Sequence, residues 1–137
     1  MRCNWDQFWM DLATIYATRS TCDRKHVGCV IVRDNKCLVS GYNGSLPGKN
    51  HCDDVGHLYL EGETGCKRTV HAEMNAIISA AKEGISINGS VAYVTCKPCL
   101  SCAKALYSAG VDKVYFKEDY RNDHSDILLK GFMVKLN

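Results

Sequence analysis

Two short stretches constrain this chain more than any others. One is His71-Ala72-Glu73, which opens an apolar run; the other is Pro98-Cys99-Leu100-Ser101-Cys102. As chemistry they supply one imidazole, two thiols and one carboxylate that need not bind metal. A catalytic zinc usually takes three protein ligands and keeps a fourth position for water. His71, Cys99 and Cys102 fit the three ligands, and Glu73 is left over as a proton carrier. The fold has to bring the two stretches together for this to work. A closed structural zinc site is the competing reading, but it gives no reason for a carboxylate beside the histidine. A lone C-x-x-C would be weak evidence, whereas this pair of motifs is strong.

Periodicity supplies the frame. Asn4 with Gln7 three residues on is a capping-box pattern. Trp5, Phe8, Trp9, Leu12, Ile15 and Tyr16 then recur at helical spacing, which predicts an amphipathic helix to about Ser20 with its aromatic stripe in the core. Val27 to Val32 is a β-branched run, Arg33 to Lys36 reads as a turn, and Cys37 to Tyr42 returns as the antiparallel partner. Cys29 and Cys37 are expected to be inert core thiols. From Gly41 to about Thr69 glycines break the pattern, so this stretch reads as mostly loop. A helix is expected over His71 to Glu83, with Gly84 ending it. Val91 to Thr95 is a strand, and Pro98 suits the first position of a helix that stops at Gly110. Val111 to Phe116 is a further strand. A short helix over Ser125 to Lys130 and a last strand over Phe132 to Leu136 close the chain. Strands alternating with helices imply an α/β fold, a three-layer α/β/α sandwich on a mixed five-stranded sheet.

Composition narrows the class. A chain of 137 residues is most simply one domain, 1–137, long enough to bury a core. A hydrophobic share of 46% with 23% charged residues is that of an ordinary globular protein. The net charge of +2 lacks the clustered basic stripe of a dedicated binder of polymeric nucleic acid. No apolar run approaches a membrane span, and the start has no signal-peptide core, so a cytoplasmic location is expected. Nine cysteines in a reducing compartment are more often metal ligands or small buried hydrophobes than disulfides.

The zinc reading survives a geometric test. Cys99 and Cys102 are three apart, so their sulfurs share a helix face. In the first turn of a helix, unpaired N–H groups and the helix dipole favour thiolates. His71 and Glu73 would diverge by about 200° in mid-helix, but at a helix start both can reach a site lying beyond its end. Water on such a zinc has its pKa lowered toward roughly 7.

The stretch Cys66-Lys67-Arg68-Thr69-Val70-His71-Ala72-Glu73-Met74-Asn75-Ala76-Ile77, with Gly41-Tyr42-Asn43-Gly44, resembles the deoxycytidylate (dCMP) deaminases of the cytidine deaminase superfamily. Ser20-Thr21-Cys22-Asp23-Arg24, His51-Cys52-Asp53 and Tyr120-Arg121-Asn122-Asp123 extend the resemblance over most of the chain. The H-x-E and P-C-x-x-C motifs belong to the whole superfamily, and the other segments point to the dCMP branch. The resemblance implies a cytidine deaminase-like fold and zinc-dependent hydrolysis of dCMP to dUMP and ammonia, supplying dUMP for thymidylate synthesis. Glu73 would take a proton from water, pass it to a ring nitrogen and later protonate departing ammonia. The resemblance further implies a homohexamer activated by dCTP and inhibited by dTTP, each bound with Mg2+ at a separate site. By the same resemblance Asn43 holds the sugar, Ala72 lies in the substrate pocket, Arg24 and Arg121 are candidates for the phosphate, and Tyr120 stacks near the pyrimidine. Tyr42, Asn43, Gly44 and Asp53 are the corresponding residues for the regulatory nucleotide.

The glycine-broken loop offers a second site. Cys22, Cys52, His57 and Cys66 lie in or beside irregular segments that need stapling, and a Cys₃His zinc site would order them. His26 or His51 are alternatives to His57 as fourth ligand, and free surface thiols are the plainer reading. Three other functions share the central motifs: a tRNA adenosine deaminase, a deaminase of free cytidine or cytosine, and a non-enzymatic zinc scaffold in which Glu73 is idle.

Overall fold

The computed structural model describes residues 1–119 and 125–137. In chain order the elements are α1 (Trp5–Ala17), β1 (Gly28–Arg33), β2 (Lys36–Tyr42), β3 (Gly44–Ser45), α2 (Cys52–Val55) and β4 (Thr69–Val70). They continue with α3 (Ala72–Glu83), β5 (Val91–Cys96), α4 (Leu100–Ser108), β6 (Lys113–Glu118), α5 (Asp126–Leu129) and β7 (Met133–Lys135). The five-stranded sheet runs β2-β1-β5-β6-β7. β1 is antiparallel to both β2 and β5, whereas β5, β6 and β7 are parallel. The sheet is therefore mixed, as the alternation of strands and helices implies.

The β1–β2 hairpin follows from its turn. Asp34 and Asn35 take φ of 53° and 58°, the left-handed conformation that a two-residue hairpin turn requires and that Asp and Asn tolerate. In β1 the side chains then alternate. Cys29 and Ile31 enter a core with Ala72, Ala76 and Ala80 of α3 and Leu106 of α4. Val30 and Val32 enter the opposite core with Trp9, Met10 and Ala13 of α1 and Tyr93 of β5. One face of the sheet carries α3 and α4 and the other carries α1, which gives the three layers. Contact is close at two glycines. A Cβ on Gly28 would lie 1.9 Å from the Ala13 carbonyl oxygen, and one on Gly41 would lie 2.2 Å from that of Ala72.

Several boundaries differ from the sequence reading, for local reasons. α1 ends at Ala17, where Thr18 forms the cap and its hydroxyl donates to the Ile15 carbonyl at 2.6 Å. Asn4 caps the helix by accepting from the Gln7 amide at 2.8 Å. The Gln7 side chain turns instead to Asp11, so only half of a capping box forms. The aromatic stripe is not all core: Trp9 is buried, but Trp5 and Phe8 are 53% and 43% exposed and pack on Trp9 from outside. Cys37 stands exposed at the start of β2, while Cys29 is buried as expected. The strand expected from Val111 runs over β6 instead, because Val111 and Asp112 still close the turn after α4 through bonds to Leu106 and Ser90 carbonyls.

The stretch after β2 holds more order than its glycines suggest. Gly44 and Ser45 pair with Val70 and Thr69 in a short antiparallel ribbon, and α2 forms one turn between them. Thr21 anchors both: its hydroxyl accepts from the Ser45 amide and its carbonyl from the Asp53 amide. Such short elements carry too little hydrophobic periodicity to be seen in sequence. No helix among the described residues is long and apolar enough to cross a membrane.

Candidate active site and metal centres

The two central motifs meet at two helix starts. His71 is the N-cap of α3 and Cys99 the N-cap of α4, so each stands one position earlier than a first-turn residue, and Pro98 precedes the cap. Glu73 and Cys102 lie in the first turns that follow. Both helix N-termini thus face the same place, and their partial positive charge favours anionic donors there. Among the described residues the His71 side chain makes no capping hydrogen bond. Its Nδ1 instead lies 3.6 Å from Cys99 Sγ and 3.4 Å from Cys102 Sγ.

These spacings fit zinc. Zn–S and Zn–N bonds of about 2.3 and 2.05 Å at tetrahedral angles place N and S donors about 3.6 Å apart. The three donor atoms lie within 4.8 Å of one another and, among the described residues, form a group without a carboxylate. That leaves a fourth position open. A hydrogen bond from Cys102 brings the Cys99 thiol down to about 4. The hydrogen bond with Cys99 in turn raises His71. Cys102 is pushed up, by its bond to Cys99 and then by burial. Glu73 is 4% exposed, and burial lifts its carboxyl to about 7. A carboxyl in that range can take up and return a proton near neutrality.

The second set also converges. Donor atoms of Cys22, Cys52, His57 and Cys66 all lie within 4.8 Å of one another. Cys22 Sγ is 3.4 Å from His57 Nδ1 and Cys52 Sγ is 3.6 Å from Cys66 Sγ. Edges of a tetrahedral Cys₃His zinc site are about 3.6 and 3.8 Å, so this group fits as well. His57 is therefore the imidazole that joins the three thiols. His51 lies 3.9 Å from Asp54 instead, and His26 is exposed outside the group. Burial pushes Cys52 up to about 12. Burial also raises Cys66, but the amides of Leu58 and Arg68, with His57 and Cys52, outweigh it and bring Cys66 down to about 6.

The remaining site residues are distributed around these groups. Asn43 is buried at the end of β2; its carboxamide accepts from the Val27 amide at 2.8 Å and donates to the Lys25 carbonyl at 2.6 Å. Ala72, between His71 and Glu73 in sequence, is fully buried. Tyr42 is half-buried, Gly44 pairs with Val70, and Asp53 is exposed in α2. Arg24 is exposed, with its guanidinium 5.7 Å above the Tyr59 ring, on the loop of the second cluster. Tyr120 and Arg121 lie outside the described residues. Asn75 is a residue that spacing did not single out. Its Nδ2 donates to the Tyr42 and Val70 carbonyls, at 2.9 and 3.3 Å, and so ties α3 to the end of β2 and to β4. A polar side chain following Glu73 in the first turn, just ahead of the apolar run Ala76-Ile77-Ile78, is the signal that could have found it.

A family model for the cytidine and deoxycytidylate deaminase zinc-binding region matches residues 3–118. ComE operon protein 2 of Bacillus subtilis is 45% identical over 120 residues, which are 88% of this chain and 62% of that protein. A deoxycytidylate deaminase of Schizosaccharomyces pombe is 32% identical over 142 residues, 98% of this chain and 44% of that protein. The chain thus spans about half the length of these two relatives. Among solved structures, dCMP deaminase from the cyanophage S-TIM5, in complex with dCMP and dUMP, matches with a TM-score of 0.83 and 30% identity over 99% of each chain.

Proposed function

The chain belongs to the cytidine and deoxycytidylate deaminase family, and from that premise we propose that it hydrolyses dCMP to dUMP and ammonia. The observation that carries this reading is the division of labour around residue 71. Three donors fit a zinc ion, and a buried carboxyl held near neutrality stands beside them without joining the set. His71, Cys99 and Cys102 would hold the zinc. When bound, it supplies Lewis acidity and makes water acidic enough to deprotonate near neutral pH. Glu73 moves the protons. Its carboxylate takes one from the attacking water and delivers it to N3 of the cytosine ring. It then carries the second to the 4-amino group, which leaves as ammonia while the carbonyl of uracil forms. The two hydrogens of one water are thereby accounted for.

Substrate recognition extends the same reading. Asn43 keeps one amide hydrogen and one carbonyl lone pair beyond its two backbone bonds, which suits contact with a sugar hydroxyl. Ala72 joins the substrate-binding set by the resemblance to the dCMP branch. Arg24 and Arg121 bind the phosphate, for which a guanidinium fork is well shaped, and Tyr120 stacks near the pyrimidine. A second zinc on Cys22, Cys52, His57 and Cys66 has a structural role. Regulation by dCTP as activator and dTTP as inhibitor, with Mg2+, at Tyr42, Asn43, Gly44 and Asp53 rests on the resemblance to the dCMP branch. So do the homohexamer and the supply of dUMP for thymidylate, whereas the single domain over 1–137 rests on length. The S-TIM5 relative, solved with dCMP and dUMP, supports the choice of substrate. A panel of dCMP, CMP, deoxycytidine, dCTP and tRNA tests it: turnover of dCMP well above the rest is expected. Equal turnover of dCMP and deoxycytidine would remove the phosphate argument.

A further inference from the structure

The His57 ring has a second side. While Nδ1 faces the thiols of the second cluster, Nε2 lies 2.9 Å from Oδ1 of Asp23, the residue next to the ligand Cys22. We propose that Asp23 is the positioning residue of that cluster, holding His57 with its Nδ1 lone pair turned toward a bound zinc ion. The proposal rests on the reading of the cluster as a zinc site.

Two physical arguments support it. A neutral imidazole carries one N–H, and the ring nitrogen that bears it cannot ligate metal. A carboxylate accepting from Nε2 keeps the hydrogen there and leaves Nδ1 bare, facing Cys22 Sγ at 3.4 Å. Outer partners of this kind commonly change metal affinity by about 10- to 100-fold. The second argument concerns where the ligands sit. His57 and Cys66 belong to a stretch with no helix or strand between α2 and β4, so the fold around His57 does little to aim its ring. Asp23 aims it from a different segment, the turn before β1. The side chain of Asp23 is 75% exposed, and an ion pair that exposed contributes little to stability by itself. Its position opposite the thiols is what gives it a role.

The test uses the full chain loaded with zinc, challenged with increasing chelator while released zinc is counted. The unmodified chain is expected to release two zinc ions per chain. In Asp23→Ala one of the two should leave at about 10- to 100-fold lower chelator concentration, with the other unchanged. Asp23→Asn, whose carboxamide oxygen still accepts from Nε2–H, should recover most of the difference. Because Asp23 is exposed, neither change disturbs the core. If Asp23→Ala releases zinc as the unmodified chain does, or Asp23→Asn fares no better than Asp23→Ala, the positioning role is overturned while the second zinc stands. A single zinc in the unmodified chain would overturn the zinc reading of the cluster and this proposal with it.

Discussion

At the scale of single residues, Glu73 owes its chemistry to burial. A carboxyl at the surface would stay ionised at neutral pH and return protons poorly, whereas this one sits where it can do both. Glu73→Gln is expected to keep the fold and the catalytic zinc but lose about 10²- to 10⁴-fold in kcat. Turnover of dCMP beside metal analysis checks this, and near-normal turnover in a zinc-loaded variant would refute the assignment. Arg24 makes a different prediction, because only the monophosphate offers it an anion. Arg24→Ala should lower kcat/KM for dCMP by about 10- to 100-fold and leave any slow reaction on deoxycytidine nearly unchanged; equal losses on both would make the residue structural or regulatory. The convergence of His71, Cys99 and Cys102 beside Glu73 was legible because metal chemistry restricts both residue type and spacing. The contacts of Asn75 and Asp23 were not, since each is made to a neighbour brought close only by the fold.

Between elements, the decisive contacts are backbone to backbone. β2 approaches α3 at Gly41 so closely that a methyl group would overlap the Ala72 carbonyl. Gly41→Ala should therefore push β2 from α3, shift both Asn43 and the zinc histidine, and lower thermal stability together with zinc content. A variant with an unchanged melting temperature would contradict that packing. The stretch between β3 and β4 has little apolar packing of its own, since Val55, Leu58, Tyr59 and Leu60 are exposed, and on the proposed reading it depends on the second zinc. Cys52→Ala and Cys66→Ala should each reduce zinc from two to one per chain and speed amide hydrogen exchange over 44–69 before the sheet responds. A count near one zinc in the unmodified chain, unaltered in both variants, would return these cysteines to ordinary thiols. In sequence, this stretch looked like loop because glycine breaks periodicity, and the order it has comes from cross-chain bonds to Thr21 and from the thiols.

Over the whole molecule, the sheet separates two cores, and the chemistry sits at one end of the larger. The order of strands and helices was readable because each run is long and its period clear; the exposed faces of α1 were not, because a stripe of Trp5, Phe8 and Ile15 has the same spacing whether covered or bare. Leu106 is fully buried between α4 and the sheet, so Leu106→Ala should cost about 2–5 kcal/mol in denaturant unfolding. The start of α3 sets a different balance. A helix of this kind would normally begin on Ser, Thr, Asp or Asn, yet His71 occupies the cap and its imidazole is turned to the thiols. Without metal, the residue proposed to hold zinc is thus a poor one for the helix. His71→Ser, stripped of metal, should unfold at higher denaturant than the equally stripped parent, by up to about 1 kcal/mol. With zinc restored the order should reverse. Selection on stability alone would discard the histidine, so on the proposed reading its place at this cap exchanges local stability of the helix for a metal ligand.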